Sequence, residues 1–218
     1  IPSVDTATST GRVLTTEWAQ GSNIRDFAAR APKAARDRAG EIIFSTCFDT
    51  LLGGCIYNGD PHPGNYLFGD DGRVVFLDFG CVRAYTPSMI DTWKFLQRGM
   101  LDDRPNDVKD ALVTLGLAPK KGRFDWEHQM RVMEYLYRPF KAKTPFTYTD
   151  EYVKESYDLL VLKSPNQRTA SMPAEWLLLN RLQWGMNAVL AQLGATSLWG
   201  TAFRRAAESK TVPVRPPA

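Results

Sequence analysis

The sequence predicts a mainly α-helical fold with a small β hairpin. Apolar residues recur at steps of three and four over several long segments, which is the spacing of one face of a helix. Two short apolar runs between residues 66 and 77 are joined by Asp71-Gly72, which is a strong signal for a hairpin turn. The composition, with 44% hydrophobic and 23% charged residues in a chain of 218, is that of a folded globular protein and argues against disorder.

The two helices before the hairpin are predicted from breaking residues and from apolar periodicity. A short helix over residues 24–30 ends before Pro32, because proline disfavours helical geometry in the residue that precedes it. A long helix is then predicted over residues 33–57 and is ended by Asn58-Gly59. On this prediction a rigid helix delivers the chain directly to Asp60.

After the hairpin the chain is predicted to be helical almost throughout. Thr86-Pro87 provides an N-cap and a proline at the first helical position, and Gly194 suits the position just after a helix end. A tail from residue 210 contains several prolines and is predicted to be flexible. The predicted helices of this part span residues 87–101, a segment capped by Asn106 or Asp107 and ended at Gly116, and residues 125–137, 150–162, 173–193 and 197–208.

The candidate functional residues lie in two short motifs. Asp60-Pro-His-Pro-Gly-Asn65 is followed thirteen residues later by Asp78-Phe-Gly80. Phosphoryl transfer needs little covalent help from the protein, because its transition state is stabilised mainly by positioning and by Mg²⁺. Mg²⁺ takes oxygen ligands, usually one or two carboxylates beside several waters. Asn65 and Asp78 offer such ligands, which leaves Asp60 for a role in the chemistry.

The spacing of these residues favours a shared site. An Asp followed five residues later by a metal-binding Asn is the arrangement of the kinase catalytic loop, and Asp60 and Asn65 have that spacing. The predicted hairpin would bring Asp78 back beside Asn65. The alternative is that these are turn residues that only punctuate a loop. For His62, which lies between two prolines, hydrogen bonding to the backbone is favoured over a catalytic role.

Several segments resemble one protein family. Residues 58–68, Asn-Gly-Asp-Pro-His-Pro-Gly-Asn-Tyr-Leu-Phe, and residues 75–83, Val-Phe-Leu-Asp-Phe-Gly-Cys-Val-Arg, resemble the catalytic and metal-binding loops of the UbiB family. These proteins are also called AarF-domain-containing kinases, and they are atypical kinase-like proteins. Residues 12–21 resemble the last N-lobe strand and the hinge of that family, and residues 172–181 resemble its C-terminal helical segment.

The resemblance implies a fold and a set of domain boundaries. Residues 22–209 would form a protein-kinase-like C-terminal lobe that carries the catalytic and metal-binding loops. Residues 1–21 would form the end of the N-lobe, with a strand ending at Val13-Leu14 and a hinge at Gly21. Residues 210–218 would form the flexible tail.

The resemblance also implies roles for individual residues, with ATP and Mg²⁺ as cofactors. Asp60 matches the catalytic-loop aspartate, and Asn65 and Asp78 match the two metal ligands. Leu67 lies where kinase-like folds place an apolar floor under the adenine, with ordinary strand packing as an equal alternative. The hinge positions whose backbone would bond the adenine edge are Glu17, Trp18 and Ala19.

Parts of the family's nucleotide clamp are not found in this sequence. The twenty residues before Gly21 contain no lysine, whereas the kinase N-lobe contributes a lysine to the α- and β-phosphates. The Lys-x-Gly-Gln segment and the alanine-rich loop of the family are likewise not found. We therefore expect the sequence to be a C-lobe piece of a longer protein, inactive alone, with the missing lobe packed on the hinge side.

The charge and the cysteine content limit the kinds of partner and the cellular compartment that we expect for this protein. A net charge of +3 without a long run of Lys or Arg does not call for a nucleic-acid partner. Three cysteines without a C-x-x-C pair predict neither a disulfide framework nor a zinc site, so an intracellular, reducing compartment is expected. The apolar stretch 176–193 carries Asn180, Arg181, Gln183 and Asn187, and it predicts a buried helix rather than a membrane span. The family resemblance adds a lipid or quinone-precursor ligand and peripheral contact with a membrane surface as expectations.

Three functions remain open from the sequence. The first is an ATP-binding atypical kinase or ATPase of the UbiB type, with a link to isoprenoid quinone or lipid metabolism that comes from the resemblance alone. The second is a small-molecule kinase of the aminoglycoside or choline phosphotransferase type, whose loops are similar but usually carry His where this chain has Asn58. The third is a catalytically silent pseudokinase that acts as a scaffold.

Overall fold

The computed structural model describes residues 1–167, 169 and 174–214, and its main elements are helices. Residues 1–21 contain isolated bridges, such as Val4 with Thr16, and no helix or named strand. The α-helices are α1 (Ile24–Arg30), α2 (Lys33–Phe48), α3 (Pro87–Leu101), α4 (Pro105–Thr114), α5 (Trp126–Lys141), α6 (Asp150–Tyr157), α7 (Ala174–Leu193) and α8 (Trp199–Glu208). The mainly helical prediction is thus confirmed.

Three antiparallel strand pairs complete the described part of the chain. The predicted hairpin is confirmed, with Tyr66 opposite Phe76 and Phe68 opposite Val74. The other two pairs join segments that are distant in sequence, so their pairing could not be read from local turn signals. The strands are β1 (Ile56–Asn58), β2 (Tyr66–Phe68), β3 (Val74–Phe76), β4 (Val82–Ala84), β5 (Phe146–Thr147) and β6 (Thr196–Ser197), paired as β1 with β4, β2 with β3, and β5 with β6.

An aromatic cluster forms the centre of the helical core. Phe140 of α5 stacks on Phe203 of α8 with ring centroids 4.0 Å apart, and Phe48 of α2 meets Phe203 edge-on at 5.0 Å. Phe44 contacts Trp199 at 5.1 Å. All five rings are buried, and such aromatic pairs add roughly 0.5–1.5 kcal/mol each beyond the area they bury. The cluster therefore holds α2, α5 and α8 together.

The prediction of one long helix over residues 33–57 is wrong at its C-terminal end. Helix α2 ends at Phe48 and continues as a π-helical turn, Asp49–Gly53. Cys55 then adopts a positive φ of 57°, which breaks the helix, and residues 56–58 form β1. The backbone hydrogen bonds of this segment go to β4 across the fold, and such tertiary pairing overrides the helical periodicity of the local sequence. A strand, not a helix, leads to Asp60.

Other helix ends were predicted within a few residues. Helix α4 begins at Pro105 with Arg104 as its N-cap, not at Asn106 or Asp107, and Asp107 lies in the first turn and pairs with Arg104 at 2.6 Å. Residue 197, predicted to start the last helix, belongs to β6, and that helix begins at Trp199. The prediction that the helix from 150 reaches 162 is confirmed, with a final π-helical turn over Asp158–Leu162.

Helix α5 passes through Pro139, although the sequence predicted an end at residue 137. Proline removes one helical hydrogen bond and normally stops a helix. Here the hydroxyl of Tyr152 donates to the carbonyl of Leu136 at 3.0 Å and lies 3.5 Å from the carbonyl of Tyr135. The Tyr135 carbonyl is the one that receives no helical hydrogen bond, because Pro139 has no N–H. Burial of Phe140 in the aromatic cluster favours continuation of the helix to Lys141.

The last described residues are attached to the fold, whereas the sequence predicted a flexible tail from residue 210. Val212 and Val214 donate backbone hydrogen bonds to the carbonyls of Gly53 at 2.7 Å and Gly54 at 2.9 Å. The buried ammonium group of Lys94 donates to the carbonyl of Ser209 at 2.7 Å. Residues 215–218 of the tail lie outside the described residues. The same holds for residue 173, where the sequence predicts the start of α7.

Among the helices that the structure describes, none combines the length and the apolar character needed to cross a membrane. The three cysteines, Cys47, Cys55 and Cys81, are all free, with the first two buried.

Candidate active site

The paired strands β1 and β4 bring the two sequence motifs to the same place. Asn58 lies opposite Val82 in the register, and beyond it the amide of Gly59 donates to the carbonyl of Cys81 at 2.9 Å. Asp60 follows Gly59 directly, and Asp78 precedes Cys81 by three residues. The strand pair therefore sets the separation between the start of the first motif and the end of the second.

The side chains of Asp60 and Asn65 are in direct contact. The carboxamide nitrogen of Asn65 donates to the Asp60 carbonyl at 2.9 Å and to Asp60 Oδ2 at 3.0 Å. A single 3₁₀ turn over Pro63–Asn65 closes the loop, and the Asn65 amide donates to the His62 carbonyl at 2.9 Å. The five-residue spacing seen in the sequence thus becomes a closed loop in which the amide side chain holds the carboxylate.

The hairpin brings the backbone before Asp78 to Asn65, as the sequence predicted. The amide of Leu77 donates to the Asn65 carbonyl at 3.0 Å. Asp78 Oδ1 accepts a hydrogen bond from the amide of Gly80 at 2.7 Å, which turns part of this carboxylate toward its own loop. The second oxygen, Oδ2, is the one left for a ligand, and the residue is exposed.

Asn58 is a site residue that sequence reasoning missed. Its Nδ2 donates to the Asp78 carbonyl at 2.6 Å, and its Oδ1 accepts from the Asp60 amide at 3.3 Å. One side chain therefore bridges the backbones of both motifs. The helical pattern before it predicts Asn58 as part of a helix end. The signal that could have identified its role is an Asn placed directly before Gly-Asp, since Asn often bonds to the backbone two residues on.

The donor atoms at the site suit a hard divalent cation. Because the Asn65 nitrogen is occupied by Asp60, the carboxamide oxygen on the opposite side of that group is the atom that can accept a ligand. Together with Asp78 it offers oxygen ligands only, which Mg²⁺ prefers. Among the residues that the structure describes, no group of three or more His, Cys, Asp or Glu side chains is arranged to hold a metal. The candidate set therefore depends on the carboxamide as well as the carboxylates.

The side next to Asp60 is partly shielded from water. Tyr66 is buried, and this burial raises the pKa of its phenol, with the nearby Cys47 and Asp60 adding in the same direction. Tyr66 therefore stays protonated at neutral pH and forms a neutral, aromatic wall. Asp60 itself is half-buried, so it keeps some contact with solvent.

The predicted adenine contacts are only partly assembled. Ser22 and Phe68 exchange two backbone hydrogen bonds of 2.9 Å each, which places the hinge segment along β2, where Leu67 is half-buried. A Cβ on Gly21 would lie 2.9 Å from the Leu67 Cβ, so the two backbones approach closely here. The structure thus brings the end of the hinge next to Leu67.

The three hinge residues themselves lie in the irregular N-terminal segment. The Glu17 amide donates to the Ser3 carbonyl at 3.0 Å, and its carboxylate accepts from the Ser3 hydroxyl. Trp18 is 87% exposed, and Ala19 is half-buried. The backbone amide of Glu17 is therefore committed to Ser3 rather than directed at a ligand.

Both histidines have structural roles, and for His62 this is the role that the sequence favoured. His62 Nδ1 accepts a hydrogen bond from the Gly64 amide at 3.0 Å and so caps the 3₁₀ turn. His128 is buried in α5, with Nε2 3.2 Å from the Leu159 carbonyl.

Comparisons with known proteins match the part of the chain that holds the candidate site. Residues 1–106, which include every candidate site residue, match the model of the ABC1 atypical kinase-like domain. The chain is 28% identical over 125 residues to ACTIVITY OF BC1 COMPLEX KINASE 8, a chloroplastic protein of Arabidopsis thaliana, with 56% of the chain and 16% of the relative covered. It is 24% identical over 216 residues to the mitochondrial atypical kinase coq-8 of Caenorhabditis elegans, with 96% of the chain and 28% of the relative covered. The chain thus spans less than a third of the length of these relatives.

A solved structure shares the fold. Rv3197 of Mycobacterium tuberculosis, determined in complex with erythromycin, superposes with a TM-score of 0.74 at 22% identity, over 93% of this chain and 52% of that one. At this identity the likeness shows the fold alone, and it agrees with a mainly helical, kinase-like lobe. The ABC1 domain matched over residues 1–106, together with these relatives, supports membership of the chain in the UbiB/AarF family of atypical kinase-like proteins.

Proposed function

We propose that this site binds ATP with Mg²⁺ and supports phosphoryl transfer or ATP hydrolysis. The observation that carries the proposal is the contact between Asn65 and Asp60, in which the amide nitrogen is used up and the amide oxygen is left for a cation. In this proposal Asn65 and Asp78 hold the Mg²⁺, which when bound neutralises charge on the phosphate oxygens.

Asp60 has the role of general base or of orienting group. Its Oδ2 accepts from Asn65, which fixes the carboxylate plane, and the carboxylate would accept the proton of an attacking hydroxyl or water. Asn58 and the Leu77 amide hold the two loops together, so the relative position of Asp60 and Asp78 is set before any ligand binds. Such preorganisation is what a phosphoryl-transfer site needs, since positioning provides most of its rate.

The nucleotide base is proposed to lie between Leu67 and the hinge. Leu67 would form its apolar floor, and the backbone of Trp18 and Ala19 would bond its edge. Glu17 would join them only after release from Ser3, whose carbonyl now holds its amide. A second lobe packed on this side would cover the exposed Trp18 and complete the nucleotide clamp.

The acceptor and the surroundings are proposals at the level of the family. The relatives are named as kinases of chloroplasts and mitochondria, and a link to isoprenoid quinone or lipid metabolism is proposed from that kinship. A lipid or quinone precursor and a membrane surface are the proposed partners. A reducing compartment is proposed from the free thiols of Cys47, Cys55 and Cys81.

Turnover and binding in Asp60→Asn test the proposed function. On the protein in its full natural length, we expect Asp60→Asn to abolish ATP turnover while Mg²⁺-ATP binding stays within about threefold of wild type, because the amide cannot accept the proton but keeps the shape. A wild-type protein that binds ATP without turnover, with lipids or without them, would instead indicate a pseudokinase scaffold. Phosphorylation of choline or of an aminoglycoside would indicate the small-molecule kinase.

A further inference from the structure

The residue after Asp60 packs directly on the backbone of helix α7. Pro61 is buried, and a Cβ built on Gly185 would lie 2.2 Å from Pro61 Cγ, 3.2 Å from its Cβ and 3.4 Å from its Cδ. Real Cβ contacts are essentially never shorter than 3.0 Å. The proline ring therefore occupies the space that any side chain at position 185 would need.

Neither partner in this contact can easily move. The Pro61 ring has no rotatable side-chain bond that could remove Cγ from the helix. Helix α7 is held on α2, where Arg36 Nη1 donates to the Leu193 carbonyl at 3.0 Å and Leu190 is fully buried. Gly40 of α2 brings the two elements into close contact, because a Cβ there would lie 2.5 Å from the Cβ of Ala195, just beyond α7. The helix is thus a fixed surface for the loop.

The loop transmits the position of Pro61 to the site residues. The Asp60 carbonyl, which is bonded to the Pro61 nitrogen, accepts one hydrogen bond from Asn65, and the Asp60 carboxylate accepts the other. A shift of Pro61 by about 1 Å, which a methyl group at position 185 would require, therefore displaces both partners of the Asp60–Asn65 contact. Misplacement of this size can reduce a rate by about 100-fold.

We infer that Gly185 is a positioning residue of the candidate active site. Because Gly185 has no side chain, Pro61 packs directly on α7, a contact that we call the seat of Pro61. This contact fixes Asp60 against Asn65. This inference rests on the proposed function for its kinetic consequence, but the seat itself is a property of the fold. Gly185 touches no reacting group, so it acts only through Pro61.

A double-mutant cycle tests the seat without any need for activity. Hydrogen exchange of the Asn65 amide, which is bonded to the His62 carbonyl, reports closure of the loop. We expect Gly185→Ala to speed this exchange by about tenfold or more. In the Pro61→Ala background, which lacks the Cγ and Cδ atoms, the same change should alter it less than about threefold. Equal effects in the two backgrounds would overturn the inference.

Gly200→Ala provides the matched control, because it creates a comparable clash at a different contact, between α8 and the backbone of α5. A Cβ at Gly200 would lie 2.3 Å from the Phe140 carbonyl oxygen. This variant should lower the melting temperature. The ratio of the exchange rate of the Asn65 amide to the rate expected from global unfolding should stay as in wild type. If it changed that ratio as much as Gly185→Ala does, general destabilisation would explain both results and the seat would be refuted.

Kinetics then separate this inference from the proposed function. If the wild-type protein turns over ATP, Gly185→Ala should lower kcat by about 100-fold with KM for ATP within about threefold, and the loss should shrink in the Pro61→Ala background. A wild-type protein without turnover would count against the proposed function, while the exchange cycle would still decide the role of Gly185.

Discussion

Replacement of Asn65 by Asp separates two roles of this side chain, the support of Asp60 and the proposed binding of Mg²⁺. Asp keeps an oxygen where the carboxamide oxygen lies, so a cation ligand remains. It removes the nitrogen that donates to the Asp60 carbonyl at 2.9 Å and to Asp60 Oδ2 at 3.0 Å. It also places a second negative charge beside the first.

The magnitude follows from these contacts. Two lost hydrogen bonds at a half-exposed site cost about 2 kcal/mol together. Two carboxylate oxygens held at the 3.0 Å of the present contact would repel by about 1 kcal/mol in water and by about 5 kcal/mol at an effective dielectric of 20. Since Asp60 keeps contact with water and the loop can relax, we take the lower end and expect a total loss of about 3 kcal/mol in unfolding free energy near pH 8.

The sign of the pH dependence distinguishes repulsion from simple loss of contacts. Two adjacent carboxylates share a proton more readily than an isolated one binds it, so the folded variant binds more protons than its unfolded chain. Stability lost at about pH 8 should therefore be partly regained near pH 5 in Asn65→Asp. Asn65→Ala, which loses the same hydrogen bonds without adding a charge, should lose about 2 kcal/mol and regain none of it.

The assay is urea unfolding of both variants and wild type across this pH range. Asn106→Asp is a control for the chemical change itself, because Asn106 is exposed in the first turn of α4, where the substitution should change stability by less than about 0.5 kcal/mol. If Asn65→Asp were as stable as wild type at about pH 8, the Asn65–Asp60 contact would not be a feature of the folded protein.

Three further predictions concern the fold that holds the site. Phe203→Ala removes a side chain that is 1% exposed and stacked on Phe140, and it should cost about 3–5 kcal/mol in chemical denaturation; a loss below about 1 kcal/mol would show that the aromatic cluster is not the core. Gly72→Ala should destabilise the protein by at least about 1 kcal/mol, because Gly72 has a φ of +82° and a Cβ there would lie 2.6 Å from the Ala35 carbonyl oxygen; an unchanged melting temperature would contradict the hairpin turn. Burial raises the pKa of the Cys47 thiol from 9.0 to about 12, so the unfolded chain loses this proton first and stability should fall as pH rises above 9. In that range the unfolding free energy of Cys47→Ala should fall less steeply with pH than that of wild type, by about 1.4 kcal/mol per pH unit. Equal slopes would refute the burial of this thiol.

Local signals in the sequence were sufficient where the structure is decided locally. Thr86 caps α3 through its hydroxyl as the Thr-Pro pair predicted, and Asp71-Gly72 turns the hairpin with Gly72 at positive φ. Gly194, with a φ of +56°, follows the end of α7. In each case a single side chain or a missing Cβ decides the backbone conformation, so the residue type carries the information.

Long-range pairing decided the parts that the sequence did not predict. Residues 56–58 continue a helical pattern, yet their backbone pairs with residues 82–84, a partner that local periodicity cannot indicate. The pairing of Phe146 with Ser197 is of the same kind. Helix α5 passes Pro139 because the Tyr152 hydroxyl, from another helix, lies close to the carbonyl left without its donor.

The same division holds for the candidate site. The spacing of Asp60 and Asn65 predicted a contact that the structure contains, because five residues closed by one 3₁₀ turn leave little freedom. The bridge made by Asn58 depends on the β1–β4 pairing and was missed. The seat of Pro61 on Gly185 joins residues more than a hundred positions apart, which no local pattern reveals.

The central claim is that Asp78 and Asn65 hold Mg²⁺ for a bound nucleotide, and calorimetric titration of ATP with and without Mg²⁺ tests it most directly. On wild type we expect Mg²⁺ to tighten ATP binding, and on Asp78→Asn we expect at least about tenfold of that gain to be lost, equal to about 1.4 kcal/mol. An Asp78→Asn protein that binds Mg²⁺-ATP as tightly as wild type would contradict the claim.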